Sequence, residues 1–221
     1  MLNPDLFEAS VTGSICAHEH AVRVFGDDDL LYYRHFFSEE ESRHFLESLL
    51  ATVPWRQETL KIYGRSIPTP RLTAWYGDPG AAYTYSGLRN EPNAWNESLI
   101  EILDALYAFT AVRFNSVLLN RYRDGNDSLS WHADDEPELG VAPTIASVSL
   151  GVSRIFKLRK TDNSKEETSL RLENGSLLLM TGHSQTDYRH SVPKEKRLLG
   201  ERINLTFRVV STGAIASGSI R

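Results

Sequence analysis

The sequence predicts an α+β fold, with helices in its first half and an all-β second half that packs as a sandwich or jelly roll. Three observations carry this. Two stretches, SEEESRHFLESLL and AWNESLIEILDALYAFTAV, have the period of amphipathic helices. From Phe114 onward the chain breaks into many short strand-like runs with turn signals between them. Near the end, RINLTFR alternates without a break, Arg202, Asn204, Thr206 and Arg208 against Ile203, Leu205 and Phe207. That is the period of a strand with one face buried.

Taken in order, the first 35 or so residues have weak periodicity and are expected to form a loose arm, residues 1–35. Ser38 is a good N-cap for the first helix, with Glu41 three residues on and acidic residues in the first turn. Residues 53–90 are rich in Pro, Gly, Tyr and Trp, with strand-like pieces such as LKIYG. The second helix follows. The strand candidates are then NSVLLNRYR, PTIASVSLG, RIFKLRK, SLRL, SLLLMTG and RINLTFRVV, with turns at Asp124-Gly125 and Asn174-Gly175. One domain is expected over residues 36–211, with its β core at 114–211 and a small-residue tail at 212–221.

Composition narrows the function. The chain has 221 residues, 41% hydrophobic and 24% charged, as an ordinary soluble globular protein has. No run is long enough to span a bilayer, and the N-terminus has no basic region followed by an apolar stretch. The one cysteine, Cys16, excludes an internal disulfide, a thiolate zinc site and an iron–sulfur cluster. A reducing compartment is expected, the cytoplasm of a bacterium or the nucleus of a eukaryote, with a monomer and no membrane partner. The formal net charge of -5 argues weakly against nucleic acid, but basic residues cluster at Lys61–Arg71, Arg154–Lys160 and Lys194–Arg197.

WHADDE places His132 and Asp134 two residues apart, hence on one face of an extended strand. A third ligand from elsewhere, such as His190 in YRHSVP, would complete a set of two histidines and one carboxylate. That is the facial triad of non-haem Fe(II) oxygenases, which leaves positions open for a co-substrate and O₂. Such an enzyme usually draws electrons from 2-oxoglutarate, and Arg offers a planar fork for each of its carboxylates. Arg202 and Arg208, with Asn204 between them, would supply those contacts. Asn120 and Tyr122 share a face of LLNRYR by the same rule.

The chain order Asn-x-Tyr, His-x-Asp, His, Arg-x-Asn-x-x-x-Arg, together with PRLTAWYGDPGAAYTYSG, NRYRDGNDSLSWHADDE, IASVSLG, NGSLLLM, RHSVP and RINLTFR, resembles the AlkB family of Fe(II)/2-oxoglutarate dioxygenases. The resemblance runs from about Pro70 to Val209 and is strongest to the DNA-repair branch that includes the animal nuclear enzymes. It implies a double-stranded β-helix core with flanking N-terminal helices, and a nucleotide-recognition lid at residues 53–90. It implies Fe(II) held by His132, Asp134 and His190, with 2-oxoglutarate held by Asn120, Tyr122, Arg202, Asn204 and Arg208. O₂ is the other co-substrate.

The implied activity is oxidative dealkylation of 1-methyladenine and 3-methylcytosine in DNA, releasing formaldehyde, succinate and CO₂. RNA demethylation by the same chemistry is the alternative, followed by hydroxylation of a protein or small molecule, then by a non-catalytic binder. By resemblance the flipped base would meet Tyr83, Tyr85, Ser86 and Glu136, with Arg71, Trp75 and Tyr76 nearby and Tyr63 as a duplex wedge. Arg65, Arg71, Arg121 and Lys157 are candidate phosphate contacts.

Overall fold

The computed structural model describes residues 21–211 apart from 63, 82, 86, 87, 163 and 165, with the backbone alone at 62, 83–85 and 88–90. The strands, in chain order, are β1 (Val22–Arg23), β2 (Leu30–Tyr33), β3 (Thr59–Ile62), β4 (Arg65–Pro68), β5 (Leu72–Gly77), β6 (Tyr83–Tyr85), β7 (Leu88–Asn90) and β8 (Ser116–Tyr122). They continue with β9 (Leu129–His132), β10 (Ile145–Gly151), β11 (Arg154–Lys160), β12 (Glu167–Leu172), β13 (Ser176–Met180), β14 (Tyr188–Val192) and β15 (Arg202–Arg208). The helices are α1 (Glu39–Thr52), α2 (Glu97–Thr110) and the single-turn α3 (Ser184–Asp187).

The strands form a seven-stranded sheet in the order β1-β2-β13-β10-β15-β8-β5 and a four-stranded sheet in the order β12-β11-β14-β9. From β8 onward the chain passes back and forth between the sheets. That winding makes the double-stranded β-helix, an antiparallel jelly roll with helices outside it. Two hairpins, β3-β4 and β6-β7, stand apart from both sheets.

The first helix begins where the sequence predicts. The backbone N–H of Glu41 donates to Ser38 Oγ at 3.2 Å, and the Glu41 carboxylate accepts from the Ser38 N–H at 2.9 Å. Asn96 caps α2 through the N–H of Leu99 at 2.9 Å. Phe45 and Leu49 of α1, and Leu99, Ile102 and Leu106 of α2, are spaced at three and four residues and pack on one face of the large sheet. Ile203, Leu205 and Phe207 of β15 meet them there. The other half of β15 faces the space between the sheets, and all seven of its residues are buried. RINLTFR is therefore a central strand whose polar face looks into a cavity.

The expected arm is corrected in its last third. β2 pairs with β13, Leu30 opposite Met180, and Leu30 and Tyr32 sit in the core between the sheets. Four residues are too few for alternation to be read against an acidic surround. Two aspartates of the GDDDL stretch before β2 tie it to the rest of the fold. Asp27 accepts from the Tyr188 hydroxyl at 2.7 Å, and Asp29 accepts from the backbone N–H of His183 at 2.9 Å.

Candidate active site

The centre of the site is built on the small sheet. β9 and β14 pair antiparallel, with His132 directly opposite His190, and the register shifts beside this pair. Such a bulge re-aims side chains at a sheet edge. The two rings lie 4.1 Å apart, and each Nε2 is 4.0 Å from a different oxygen of Asp134. One ligand atom from each residue falls within 4.8 Å of the other two, a span that one ion with bonds of about 2.0–2.2 Å can bridge.

The protonation states suit a metal. Burial, with the neighbouring His132, pulls the His190 imidazole down to about 3, so its lone pair is free for coordination. Burial alone would push the Asp134 carboxyl up, but Arg208 and the two imidazoles outweigh it and hold the carboxyl below its usual range. The Ser130 carbonyl lies 2.9 Å from His132 Nδ1, which leaves Nε2 as the lone-pair nitrogen. Phe156 stacks on His190 at 5.2 Å.

A cavity of about 720 Å³ runs from this triad between the sheets. The large sheet lines it with Asn120 and Tyr122 from β8 and with Arg202, Asn204 and Arg208 from β15. Arg208 donates to Asp134 at 2.6 Å, and so marks the metal end. Arg202 lies six residues along the strand, opposite Tyr122, and donates to Ser149 at 2.9 Å. The Nε and Nη1 of both arginines are buried without a hydrogen-bond partner. Buried guanidinium donors left open in this way are costly unless an anion completes them. A dicarboxylate fits that requirement, and the two-histidine, one-carboxylate set fits Fe(II).

The lid side is mixed. Arg71 lines the cavity and donates to Asn120 at 2.7 Å, which orients that amide. Glu136 lies at the cavity wall, half-buried. Trp75 also lines it, whereas Tyr76 faces the helical core. Tyr76 is thus corrected to a packing residue, since neighbours on a strand point to opposite faces. The side chains of Tyr83 and Tyr85, and residues Tyr63 and Ser86, lie outside the described residues.

Among the candidate phosphate contacts, Arg121 is corrected. It points to the helix side and forms a fork with Glu201 at 2.7 and 2.9 Å. Arg65 is exposed on β4, and Lys157 pairs with Glu167 at 2.6 Å.

Sequence reasoning missed four neighbours of the site. Gln185, buried on α3, accepts the backbone N–H of Asp134 at 2.9 Å. Trp131 lines the cavity, and the Arg159 guanidinium lies 4.4 Å from its ring centroid. Arg189 faces Arg159 directly across the β11–β14 pair, and both are exposed. Arg159 could have been found, because it lies in a basic cluster two residues from Lys157. Gln185 had no such signal.

A jelly roll enclosing a buried His-Asp-His set and open arginines defines a mononuclear iron oxygenase that uses a dicarboxylate. The comparisons agree. The family model described as the 2OG-Fe(II) oxygenase superfamily matches residues 29–208. The chain is 40% identical over 208 residues to the DNA oxidative demethylase ALKBH2 of Arabidopsis thaliana, covering 82% of this chain and 66% of that protein. It is 39% identical over 202 residues to the alpha-ketoglutarate-dependent dioxygenase alkB homolog 3 of Homo sapiens, covering 87% and 70%. It is 38% identical over 188 residues to human DNA oxidative demethylase ALKBH2, covering 80% and 72%. The chain thus spans about two thirds of the length of these relatives. A solved structure of OsALKBH1 superposes with a TM-score of 0.60 at 16% identity, covering 86% of this chain and 100% of that one, which bears on the fold alone.

The chain belongs to the 2OG-Fe(II) oxygenase superfamily and, within it, to the AlkB family. It is an Fe(II)- and 2-oxoglutarate-dependent oxygenase whose site is of the type that demethylates nucleic acids oxidatively. No helix among the described residues is long and apolar enough to cross a membrane.

Proposed function

We propose that the protein removes N-linked methyl groups from 1-methyladenine and 3-methylcytosine in DNA, releasing formaldehyde, succinate and CO₂. The observation that carries this reading is the continuous cavity, which joins the His132–Asp134–His190 set to Trp75, Trp131 and Glu136. A base that leaves its stack needs an apolar wall and a polar group to read its edge, and these residues supply both. When bound, Fe(II) and 2-oxoglutarate would activate O₂ as the oxidant for the methyl C–H bond.

The chain's own residues do the positioning. Arg208 fixes the Asp134 carboxylate, and the Ser130 carbonyl fixes the His132 ring. Arg202 receives the far carboxylate of the co-substrate, while Arg208 lies at the metal end. Glu136 accepts from the exocyclic amine of the flipped base, a group that both adenine and cytosine carry.

On the outer face of the small sheet, Arg159 and Arg189 sit beside Trp131 at the cavity wall, which supports a polyanionic substrate over a protein or small molecule.

The test uses purified protein with Fe(II), ascorbate and 2-oxoglutarate. Oligonucleotides carrying 3-methylcytosine are offered as single-stranded DNA, duplex DNA and RNA, and the repaired base and formaldehyde are quantified. Repair of DNA at least tenfold faster than of RNA is the expected result. Faster repair of RNA would move the substrate to RNA. If 2-oxoglutarate is consumed only with a substrate other than nucleic acid, the base reading fails while the metal site stands.

A further inference from the structure

A further buried arginine, Arg154, lies behind the cavity wall at its co-substrate end, against the Tyr122 ring, and has no part in the chemistry described above. It opens β11 and is 1% exposed, as is Arg202. Its guanidinium lies 5.3 Å from the ring centroid of Tyr122, and that of Arg202 lies 5.2 Å from the same ring. One phenol ring thus carries both cations, and Tyr122 is also the cross-strand partner of Arg202.

The two cations differ in how they are satisfied. Arg154 donates to the backbone carbonyls of Asp124 at 3.1 Å, Asp127 at 2.8 Å and Pro193 at 2.8 Å, and to the Glu195 carboxylate at 3.2 Å. Glu195 also accepts from the N–H of Ile155 at 2.9 Å, so the acid that balances Arg154 is itself fixed. Arg202 keeps Nε and Nη1 open.

The connectivity explains why Arg154 sits there. The carbonyls of Asp124 and Asp127 belong to the loop that leaves Tyr122. Pro193 and Glu195 belong to the loop that leads into Arg202. Arg154 ties the exit of one strand to the entry of its partner. Between the two loops the N–H of Glu195 donates to the Gly125 carbonyl at 2.8 Å, and a Cβ at Gly125 would meet the Glu195 carbonyl oxygen at 1.9 Å. The loops are therefore in backbone contact, with no slack for either strand end to shift.

We propose that Arg154 is a positioning residue for 2-oxoglutarate: by stapling these two loops and resting on the Tyr122 ring, it holds the open fork of Arg202 at the angle the far carboxylate needs. Arg154 has its donors taken by Glu195 and the loop carbonyls, so the open donors at this end of the cavity are those of Arg202. Burial, with repulsion from Arg154, pulls the Arg202 guanidinium down to about 10, and a bound carboxylate relieves that strain. The inference concerns the co-substrate end alone and stands whatever base or polymer is demethylated.

The experiment compares wild type with Arg154→Met and Arg154→Lys. Binding of 2-oxoglutarate to the Mn(II)-loaded protein is followed by tryptophan fluorescence, beside the thermal midpoint, Mn(II) affinity without 2-oxoglutarate, and separate KM values for 2-oxoglutarate and oligonucleotide. Arg154→Met should bind 2-oxoglutarate at least tenfold more weakly, with Mn(II) affinity and oligonucleotide KM within twofold of wild type. Arg154→Lys keeps the charge and the stem but cannot span three carbonyls, and should bind at least threefold more weakly. Should Arg154→Met fail to fold, Arg154→Lys decides. Co-substrate affinity within twofold of wild type in the folded variants, with only the thermal midpoint lowered, would overturn the proposal and leave Arg154 a structural staple.

Discussion

Gln185 carries no charge and is not one of the three ligands, yet it decides where Asp134 stands. Its amide oxygen takes the Asp134 N–H, and its amide nitrogen is held by Ser184 Oγ at 3.3 Å and Met180 Sδ at 3.5 Å. Residues that orient a ligand in this way typically contribute a factor of about 10–100 in metal affinity. Gln185→Ala should weaken Fe(II) binding by about that factor, read by metal titration, with KM for 2-oxoglutarate unchanged once metal is saturating. Loss of Arg208 acts on the same carboxylate from its other side. Arg208→Ala should raise the 2-oxoglutarate requirement sharply or abolish turnover; unchanged dependence would mean that its open donors serve nothing. At this scale legibility followed chemistry. His132, Asp134 and Arg208 could be named from the sequence because each carries a charge or lone pair at a telling spacing. Gln185 could not, because an amide two residues into SQTD looks like any turn.

A strand's period shows which residues share a face but not what that face meets. RINLTFR was legible as a strand, and its place between β10 and β8 was not. The same limit explains Trp75 and Tyr76. The sequence says they diverge, and only the pairing of β5 with β8 says that Trp75 takes the cavity side. β2 fails at a lower level, being too short to carry a period at all. The two faces of β15 should separate in their energetics. Leu205 is fully buried in the helical core, and Leu205→Ala should cost about 2–5 kcal/mol in urea denaturation. Its effect on KM for 2-oxoglutarate should stay within about twofold, whereas Asn204→Ala on the cavity face should act mainly on that KM. If the two variants shift stability and KM alike, the faces are not the independent units that the alternation implies.

For the whole molecule the question is how a chain of formal net charge -5 would hold a polyanion. Part of the acid is spent internally: Asp27 on Tyr188, Asp29 on the turn at His183, Asp127 on Arg123, Asp134 on Arg208. On β11, Lys157 and Lys160 are each paired with a glutamate at 2.6 Å. Arg159 and Arg189 differ. They stand opposite each other on neighbouring strands, an arrangement that costs the sheet up to about 1 kcal/mol, and among the described residues neither has a carboxylate within ion-pair distance. Arg159 rests on the Trp131 ring at the cavity wall and has Glu167 as its other cross-strand partner, and we propose that the pair of arginines is held there to receive phosphate. Removing one cation that neutralises a phosphate should make the plot of log affinity against log salt shallower by about 0.9 for duplex or about 0.7 for a single strand. Arg159→Glu and Arg189→Glu, measured by fluorescence anisotropy with a labelled oligonucleotide over a potassium chloride series, should each bind several-fold more weakly at low salt and with a shallower slope. Their turnover at saturating oligonucleotide should stay within about twofold of wild type, because neither residue touches the metal or co-substrate groups. An unchanged slope in both variants would place the polymer's path on another face and leave this pair of arginines without a ligand.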